Sequence, residues 1–247
     1  MFIAASSHCF ADIGFDDACR HINDLEYDKV EIWLDESSNH LKPSEVAADP
    51  EGFQIRMRQV SRLTPVAFTF AHDISGDVLR GVCKAAKLLR VTQVSVPAAE
   101  LGTPFNSEID RLKSFIGIAN ETAARLSIIT KTGHLTEDPH TAVELCQAVR
   151  GLGIALDPSY YMCGPHRNKQ YEQVFPYVTH VLLRDTTPES LQVQVGLGEI
   201  DYAKIIASLK RENYPRALSV DFFPERMGDV ARPLEMRKLR LLLETLL

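Results

Sequence analysis

The sequence predicts an α/β fold of the (β/α)8 TIM-barrel class, built as a single domain over residues 1–247. Short runs rich in β-branched and aromatic residues alternate eight times with helical patterns, which is typical of βαβ units and a parallel sheet. The length of 247 residues is close to the roughly 250 of one such barrel. No linker, low-complexity tract or change of composition divides the chain.

Four strand–helix units account for the first half of the chain. Each predicted strand is a short apolar run, and each predicted helix carries apolar residues at helical spacing. Asp16 and Asp17 place negative charge at the start of the first helix, where the helix dipole is positive. The units are Phe2–Ser6 with Phe15–Tyr27, Lys29–Leu34 with Pro50–Leu63, Pro65–Phe70 with Gly76–Arg90, and Gln93–Pro97 with Ser107–Arg125.

The second half repeats this scheme with nothing left over. Its sixth strand is followed by a longer connection, in which we predict only a short helix. The units are Leu126–Thr130 with Pro139–Gly151, Leu152–Asp157 with a short helix near Lys169–Val174, Val178–Arg184 with Tyr202–Glu212, and Ala217–Phe222 with Leu234–Leu247.

An open, doubly wound sheet is the main alternative for this alternation. That fold would place a glycine-rich turn after its first strand to hold a nucleotide phosphate. Here the first strand ends in Ser6-Ser7-His8-Cys9-Phe10, which contains no glycine. Elsewhere, Gly196-Leu197-Gly198-Glu199 lacks the third glycine of the nucleotide-binding motif G-x-G-x-x-G. The absence of this glycine-rich turn favours the barrel over the doubly wound sheet.

Composition and charge exclude several classes of function. The formal net charge of −6 gives no support to nucleic-acid binding. No apolar run approaches the roughly 18 residues that span a membrane. The five cysteines form no CxxC pair, which speaks against a zinc ribbon or a disulfide framework. We therefore expect a cytoplasmic protein whose partner is a small molecule.

Polar and ionisable side chains lie where the predicted strands end, which is where barrels of this class place their active sites. A charge is costly to leave partly buried at a strand end, so these residues predict a functional site. In the alternative interpretation, some of the carboxylates pair with Arg184 or Lys131 and tie strands together. The side chains that we single out are Glu31, Trp33, His72, Lys131, Asp157, Tyr160, Arg184 and Asp221.

These strand ends resemble the xylose-isomerase-like TIM barrels, a superfamily that includes sugar-phosphate isomerases, ketose 3-epimerases, inosose dehydratases and AP-endonuclease-type enzymes. The resemblance covers nearly the whole chain and is densest after residue 126. It implies the barrel fold and small-molecule sugar or polyol chemistry, and family members often form dimers, so a homodimer is one expectation. The matching segments are Val30–Trp33, Leu156–Tyr160, Thr179–Thr186, Gly196–Tyr202 and Leu218–Asp221.

The resemblance also implies one divalent metal, held by a Glu, an Asp, a His and a Glu on strands five to eight. In this chain those positions fall on Thr130, Asp157, Leu182 and Asp221. Threonine is a poor ligand and leucine cannot coordinate. We therefore assign no metal ligands, and expect at most a weak Mg²⁺ or Mn²⁺ site at Asp157 and Asp221.

Our first functional hypothesis is a sugar or polyol isomerase or epimerase that moves a proton next to a carbonyl. Family members carry out this step with a carboxylate base. Asp157 and Asp221 are the candidate acid and base. Lys131 or Arg184 would replace the metal charge at a developing enediolate.

The remaining rim side chains are assigned to substrate binding. Glu31 and His72 would position hydroxyl groups, and Trp33 would stack on a sugar face. Tyr160 and His166 would line the mouth of the site.

Three other functions stay open at this point. The chain could be a non-catalytic sugar-binding or regulatory barrel, because the implied metal ligands Thr130 and Leu182 are lost. It could be a class I aldolase that uses Lys131 as a Schiff-base amine. An AP-endonuclease role ranks last, because such enzymes need several metals and a basic DNA-binding face.

Overall fold

Eight parallel strands pair in sequence order and close into a barrel. The structure is a computed structural model that describes residues 1–228 and 231–247. The barrel closes where Phe2 to Ala5 of the first strand pair with Ala217 to Val220 of the last. The strands are β1 (Phe2–Ser6), β2 (Lys29–Leu34), β3 (Thr64–Phe70), β4 (Gln93–Pro97), β5 (Arg125–Ile129), β6 (Gly153–Leu156), β7 (Val178–Leu183) and β8 (Ala217–Val220).

Helices surround the strands and bury their apolar faces against them, which confirms the predicted fold class. Several begin at a side chain that caps their first turn: Asp201, for example, accepts a hydrogen bond from the Lys204 backbone amide at 2.8 Å. The helices are α1 (Phe15–Asp24), α2 (Pro43–Ala48), α3 (Pro50–Val60), α4 (Gly76–Leu88), α5 (Phe105–Asn120), α6 (Pro139–Ala148), α7 (Pro158–Cys163), α8 (Tyr202–Arg211) and α9 (Arg232–Leu246).

Two connections differ from the predicted elements. The segment between β2 and α3, predicted as a loop, contains the short helix α2. The short helix predicted near Lys169–Val174 is present as a 3-10 helix that begins three residues later, over Glu172–Tyr177, and the structure adds the helix α7 directly after β6. Asp157 caps α7 and Pro158 occupies its first position, and this pair of residues is well suited to start a helix.

The interior of the barrel is layered. Near the amino ends of the strands, Gln93 Nε2 donates to Ser127 Oγ at 2.7 Å, and the hydroxyls of Ser95 and Ser127 lie 2.9 Å apart. Above them, Ile129, Ala155 and Leu182 form a small apolar layer. Ile129 and Leu182 also line the cleft at the carboxyl ends, so this layer is the floor of that cleft. No helix within the described residues has the length and apolarity needed to cross a bilayer.

Candidate active site

A cleft of about 190 Å³ lies at the carboxyl ends of the strands. Most of the side chains predicted for the site line it, which is the outcome expected when strand ends converge in a closed barrel. His166 is the exception, because it does not line the cleft and its Nε2 lies 3.5 Å from Glu137 Oε1. The predicted residues that line the cleft are Glu31, Trp33, His72, Lys131, Asp157, Tyr160, Arg184 and Asp221.

A buried arginine occupies the centre of the carboxylate cluster. Arg184 follows β7 and is 1% exposed. Its Nη1 donates to Asp157 Oδ2, its Nη2 donates to Asp221 Oδ2, and its Nε donates to the Asp221 backbone carbonyl at 2.8 Å. One guanidinium thus joins the ends of β6, β7 and β8. The alternative interpretation, in which rim carboxylates pair with Arg184, describes this arrangement.

Local hydrogen bonds hold Asp157 in place. Its Oδ1 accepts from the Ser159 backbone amide at 3.0 Å at the start of α7. The Thr130 hydroxyl accepts from the Asp157 amide at 2.8 Å and donates to the Asp157 carbonyl at 3.0 Å. Burial raises the pKa of the Asp157 carboxyl, and Asp221 adds to that effect, although Arg184 opposes it.

Asp221 lies in a more strongly positive environment. Besides Arg184, His8 Nδ1 donates to Asp221 Oδ1 at 2.9 Å. Burial alone would raise the pKa of Asp221, but His8 and Arg184 outweigh burial, and the pKa of this carboxyl is lowered. The His8 ring also stacks on Trp33, with ring centroids 4.4 Å apart, so one face of the indole is already covered.

Sequence reasoning did not select His8 as a site residue. The available signal was its place two residues after the end of the first strand, as the first titratable side chain of the turn that follows. The aromatic ring of Phe223 was also missed. It lies 4.1 Å from Arg184 Cζ and lines the cleft, so it covers the guanidinium on one side.

Glu31 and His180 form a second buried pair. His180 Nε2 donates to Glu31 Oε2 at 2.8 Å, and both side chains are buried. Glu31 lines the cleft, yet its Oε1 has no hydrogen-bond partner among the described residues. The buried hydroxyl of Thr69, also in the cleft wall, likewise lacks a partner within the described part of the chain. Buried polar atoms are nearly always paired, so these two atoms mark a place where a polar ligand would bind.

Two basic side chains stand at the mouth of the cleft. Lys131 is half-buried, and burial lowers the pKa of its ammonium group. Across residues 1–228 and 231–247, no carboxylate forms a salt bridge with it. The His72 side chain is 63% exposed and lies 3.6 Å from Asp35. Tyr160 packs near the guanidinium, with its ring centroid 6.0 Å from Arg184 Cζ.

The residues present do not fit the divalent metal that the family resemblance implies. Both retained carboxylates, Asp157 and Asp221, are bound to Arg184. The Thr130 hydroxyl is bound to the backbone of Asp157, and Leu182 belongs to the apolar floor. Among the residues that the structure describes, no three His, Cys, Asp or Glu side chains are grouped closely enough to hold a metal ion.

Comparison with known proteins finds similarity in structure alone. No protein-family model matches the chain, and no curated protein has a significantly similar sequence. A xylose isomerase-like TIM barrel protein from Mycobacterium smegmatis in complex with magnesium is similar at a TM-score of 0.76 and 15% identity, covering 99% of this chain and 97% of that one.

Two sugar epimerases have similar structures. The 3-keto-D-glucoside 4-epimerase from E. coli has a TM-score of 0.74 at 13% identity, with 99% of both chains covered. The D-allulose 3-epimerase from Methylomonas sp. in complex with D-allulose has a TM-score of 0.76 at 10% identity, covering 100% of this chain and 97% of that one. At these identities the likeness establishes the shared fold alone, and at that level it confirms the predicted resemblance.

Proposed function

We propose that the cleft binds a small sugar or polyol and that the chain is an isomerase- or epimerase-like enzyme that moves a proton next to a carbonyl. The observation that carries this proposal is the carboxylate of Glu31. One of its oxygens is held by His180 at 2.8 Å, and the other is buried in the cleft wall without a partner in the described residues. A fixed carboxylate with one free oxygen is the group that proton abstraction requires.

In the proposed step, Glu31 Oε1 takes the proton from the carbon next to the carbonyl of the substrate. The electron pair of the broken C–H bond forms a C–C double bond, and the carbonyl oxygen becomes negatively charged. The Lys131 ammonium group is the cation that would stabilise this oxygen. In an isomerase, the hydroxyl on the deprotonated carbon then loses its proton to become the new carbonyl, the first carbonyl oxygen takes up a proton, and Glu31 returns its proton to the former carbonyl carbon. In an epimerase, Glu31 keeps the proton that it removed, and a water molecule on the other side of the substrate protonates the opposite face of the same carbon.

This assignment gives Asp157 and Asp221 a different role from the one that the sequence suggested. Both carboxylates bind Arg184, so neither presents a free oxygen to a substrate as Glu31 does. We propose that they hold the guanidinium at the position where the family pattern would place a metal. His72 and Trp33, which line the same cleft, keep their proposed roles in binding hydroxyl groups and a sugar face.

A weak Mg²⁺ or Mn²⁺ site at Asp157 and Asp221 is the competing arrangement. An ion would have to displace Arg184 from two buried charge-assisted hydrogen bonds, which are among the stronger interactions of a protein interior. Titration of Mn²⁺ into metal-free protein, followed by calorimetry, separates the two arrangements. We expect no saturable binding below millimolar concentrations, and stoichiometric tight binding would contradict the arginine-centred site.

The proposed activity is tested by hydrogen exchange. The protein is incubated in D2O with a panel of ketoses, aldoses and keto-polyols, and deuterium at the carbon next to the carbonyl is followed by NMR. We expect incorporation into one substrate class and a loss of at least about 100-fold in Glu31→Gln, since a general base contributes about 10²–10⁴-fold. The matched control is Glu225→Gln, which alters an exposed glutamate of the same cleft and should exchange normally.

A non-catalytic sugar-binding barrel is the second candidate function. It is favoured by the ion pairs of Arg184, which fill the centre of the cluster with protein groups. Saturable sugar binding with no deuterium incorporation across the panel would support this reading and refute the proposed proton transfer. The homodimer and the cytoplasmic location stay predictions.

A further inference from the structure

A second cavity lies at the opposite end of the barrel, where the strands begin. It measures about 390 Å³, and we call it the basal cavity. Four basic side chains line it: Lys29 at the start of β2, Arg90 before β4, Arg125 at the start of β5 and Arg216 before β8. It extends inward to the buried side chain of His180, so it is a concave site and not a flat patch.

The charges around the basal cavity are unbalanced. Lys29 pairs with Asp28, but Arg90, Arg125 and Arg216 form no salt bridge with any carboxylate that the structure describes. No acidic residue is among those that line the cavity. The chain as a whole carries a net charge of −6, whereas the lining of this cavity is positively charged.

The arginines also repel one another across the cavity. Arg125 begins β5 and Arg216 precedes β8, and two strands, β6 and β7, lie between them in the ring. Burial lowers the pKa of Arg216, and the charge of Arg125 lowers it further. Arg125 is oriented by a hydrogen bond from its Nη1 to Thr92 Oγ1 at 3.1 Å. Like charges held together in this way are unfavourable unless an anion lies between them.

We propose that the basal cavity binds the phosphate group of a small anionic metabolite, with Arg125 and Arg216 as its principal donors. Guanidinium groups match phosphate oxygens through paired N–H donors, and the hydroxyls of Thr64 and Thr92 line the same cavity. The volume lies in the range of small-molecule sites. The acidic charge of the remaining surface disfavours a polyanion such as nucleic acid, so the ligand is a small molecule.

The test is isothermal titration calorimetry of the full chain with inorganic phosphate and, separately, with glucose 6-phosphate. Ionic strength is kept constant with sodium chloride, because exposed charges respond to screening. We expect saturable binding of at least one ligand. Arg125→Gln and Arg216→Gln should each weaken it about tenfold or more, since each removes charge-assisted hydrogen bonds. Binding of inorganic phosphate identifies the free ion as a ligand, and binding of the ester alone identifies a phosphorylated metabolite.

The matched control is Arg237→Gln, which removes the same charge from an exposed position of α9 and should leave binding unchanged. Neither Arg125 nor Arg216 takes part in a salt bridge with the carboxylates that the structure describes, so both variants should fold. Arg125 is at an exposed position, so Arg125→Gln is sufficient for the test if Arg216→Gln does not fold. The proposal is overturned by a lack of saturation at millimolar ligand, or by equal effects of the control and the two cavity variants.

Discussion

Arg184 pairs with two buried carboxylates at once, and this sharing decides how each of the three side chains responds to substitution. Asp157 and Asp221 both accept hydrogen bonds from one guanidinium, and only Asp221 has a second ring-nitrogen partner, His8. The pKa of Asp157 is raised by burial, whereas that of Asp221 is lowered. The two carboxylates therefore differ although they share a partner.

Asp221→Asn should destabilise the fold at neutral pH and much less in acid. Removing one partner of a buried ion pair costs about 3–5 kcal/mol when it leaves a charge unpaired, and since Arg184 keeps Asp157 as a partner, we expect a loss at or below the lower end of this range. The pKa of Asp221 is lowered in the folded state, so its stabilisation is present above the unfolded value of about 3.9 and is lost as pH falls through the folded pKa. Urea unfolding at pH 7 and below pH 4 should show the difference between variant and wild type shrinking.

Asp17→Asn is the control for this substitution. Asp17 pairs with Arg20 on the surface, where both side chains are largely exposed, and such pairs contribute about 0–1 kcal/mol. A loss in Asp221→Asn no larger than in Asp17→Asn, or a loss that grows in acid, would show that Asp221 does not hold the cluster.

At this scale, the sequence could predict which strand ends are polar but not which side chains pair. Strand alternation places Asp157, Arg184 and Asp221 near the rim, yet their mutual hydrogen bonds depend on the tilt and register of three strands. The Glu31–His180 pair joins residues 149 positions apart. No local spacing encodes that contact, so it could be found only in the folded chain.

At the scale of elements, α2 and α4 meet at a close backbone contact. Gly81 lies inside α4, and a Cβ atom placed there would be 2.5 Å from the Cβ and 2.6 Å from the Cα of Ala47 in α2. The absence of a side chain at Gly81 therefore lets the two helices pack. Pro43 stands at the start of α2, where its fixed φ favours a helix.

Gly81→Ala should destabilise the protein although alanine is the better helix former. The gain of about 1 kcal/mol in helix propensity is outweighed by overpacking against the Ala47 backbone, which typically costs about 1–3 kcal/mol. Thermal unfolding measures the net effect. Gly117→Ala, in α5 with nothing within 4 Å of the added atom, is the matched variant and should raise the melting temperature. A stabilised Gly81→Ala would show that α2 shifts freely.

The order of strands and helices could be predicted from hydrophobic periodicity, because the barrel repeats one unit. The short helices α2 and α7 could not be predicted from hydrophobic periodicity. Both α2 and α7 have six residues, too few for a periodic pattern, and each is signalled only by its first residues. For α7 the signal is Asp157-Pro158. We predicted the end of a strand at Asp157, but the same two residues also start a helix.

The accessibility of the five thiols should report on how often the whole fold opens. Cys9, Cys19, Cys83 and Cys146 are buried in different parts of the shell, and Cys163 is half-buried. Burial raises the thiol pKa of Cys19 and Cys146 to about 12 and that of Cys83 to about 11. Because the thiolate is the reactive form, a disulfide reagent at pH 8 should label one thiol quickly and the other four at the rate of opening of the fold.

Cys163→Ser should remove the fast phase and leave the slow phase unchanged. Two or more fast thiols in the wild-type protein would mean that part of the helical shell opens independently of the barrel. Labelling in denaturant, where all five thiols should react, calibrates the total.

The pairing of β1 with β8 has a consequence for how the chain acquires its structure. Contacts between residues 2–5 and 217–220 span most of the sequence. Until they form, both edges of an open eight-stranded sheet expose unpaired amide and carbonyl groups. Exposed edges of this kind can pair with strands of other chains and so lead to aggregation. The β1–β8 contacts also form slowly, because the paired residues are far apart in the sequence. A chain emerging from the ribosome carries this liability until its eighth strand is released, which makes closure of the ring the step at which chaperone assistance would matter most.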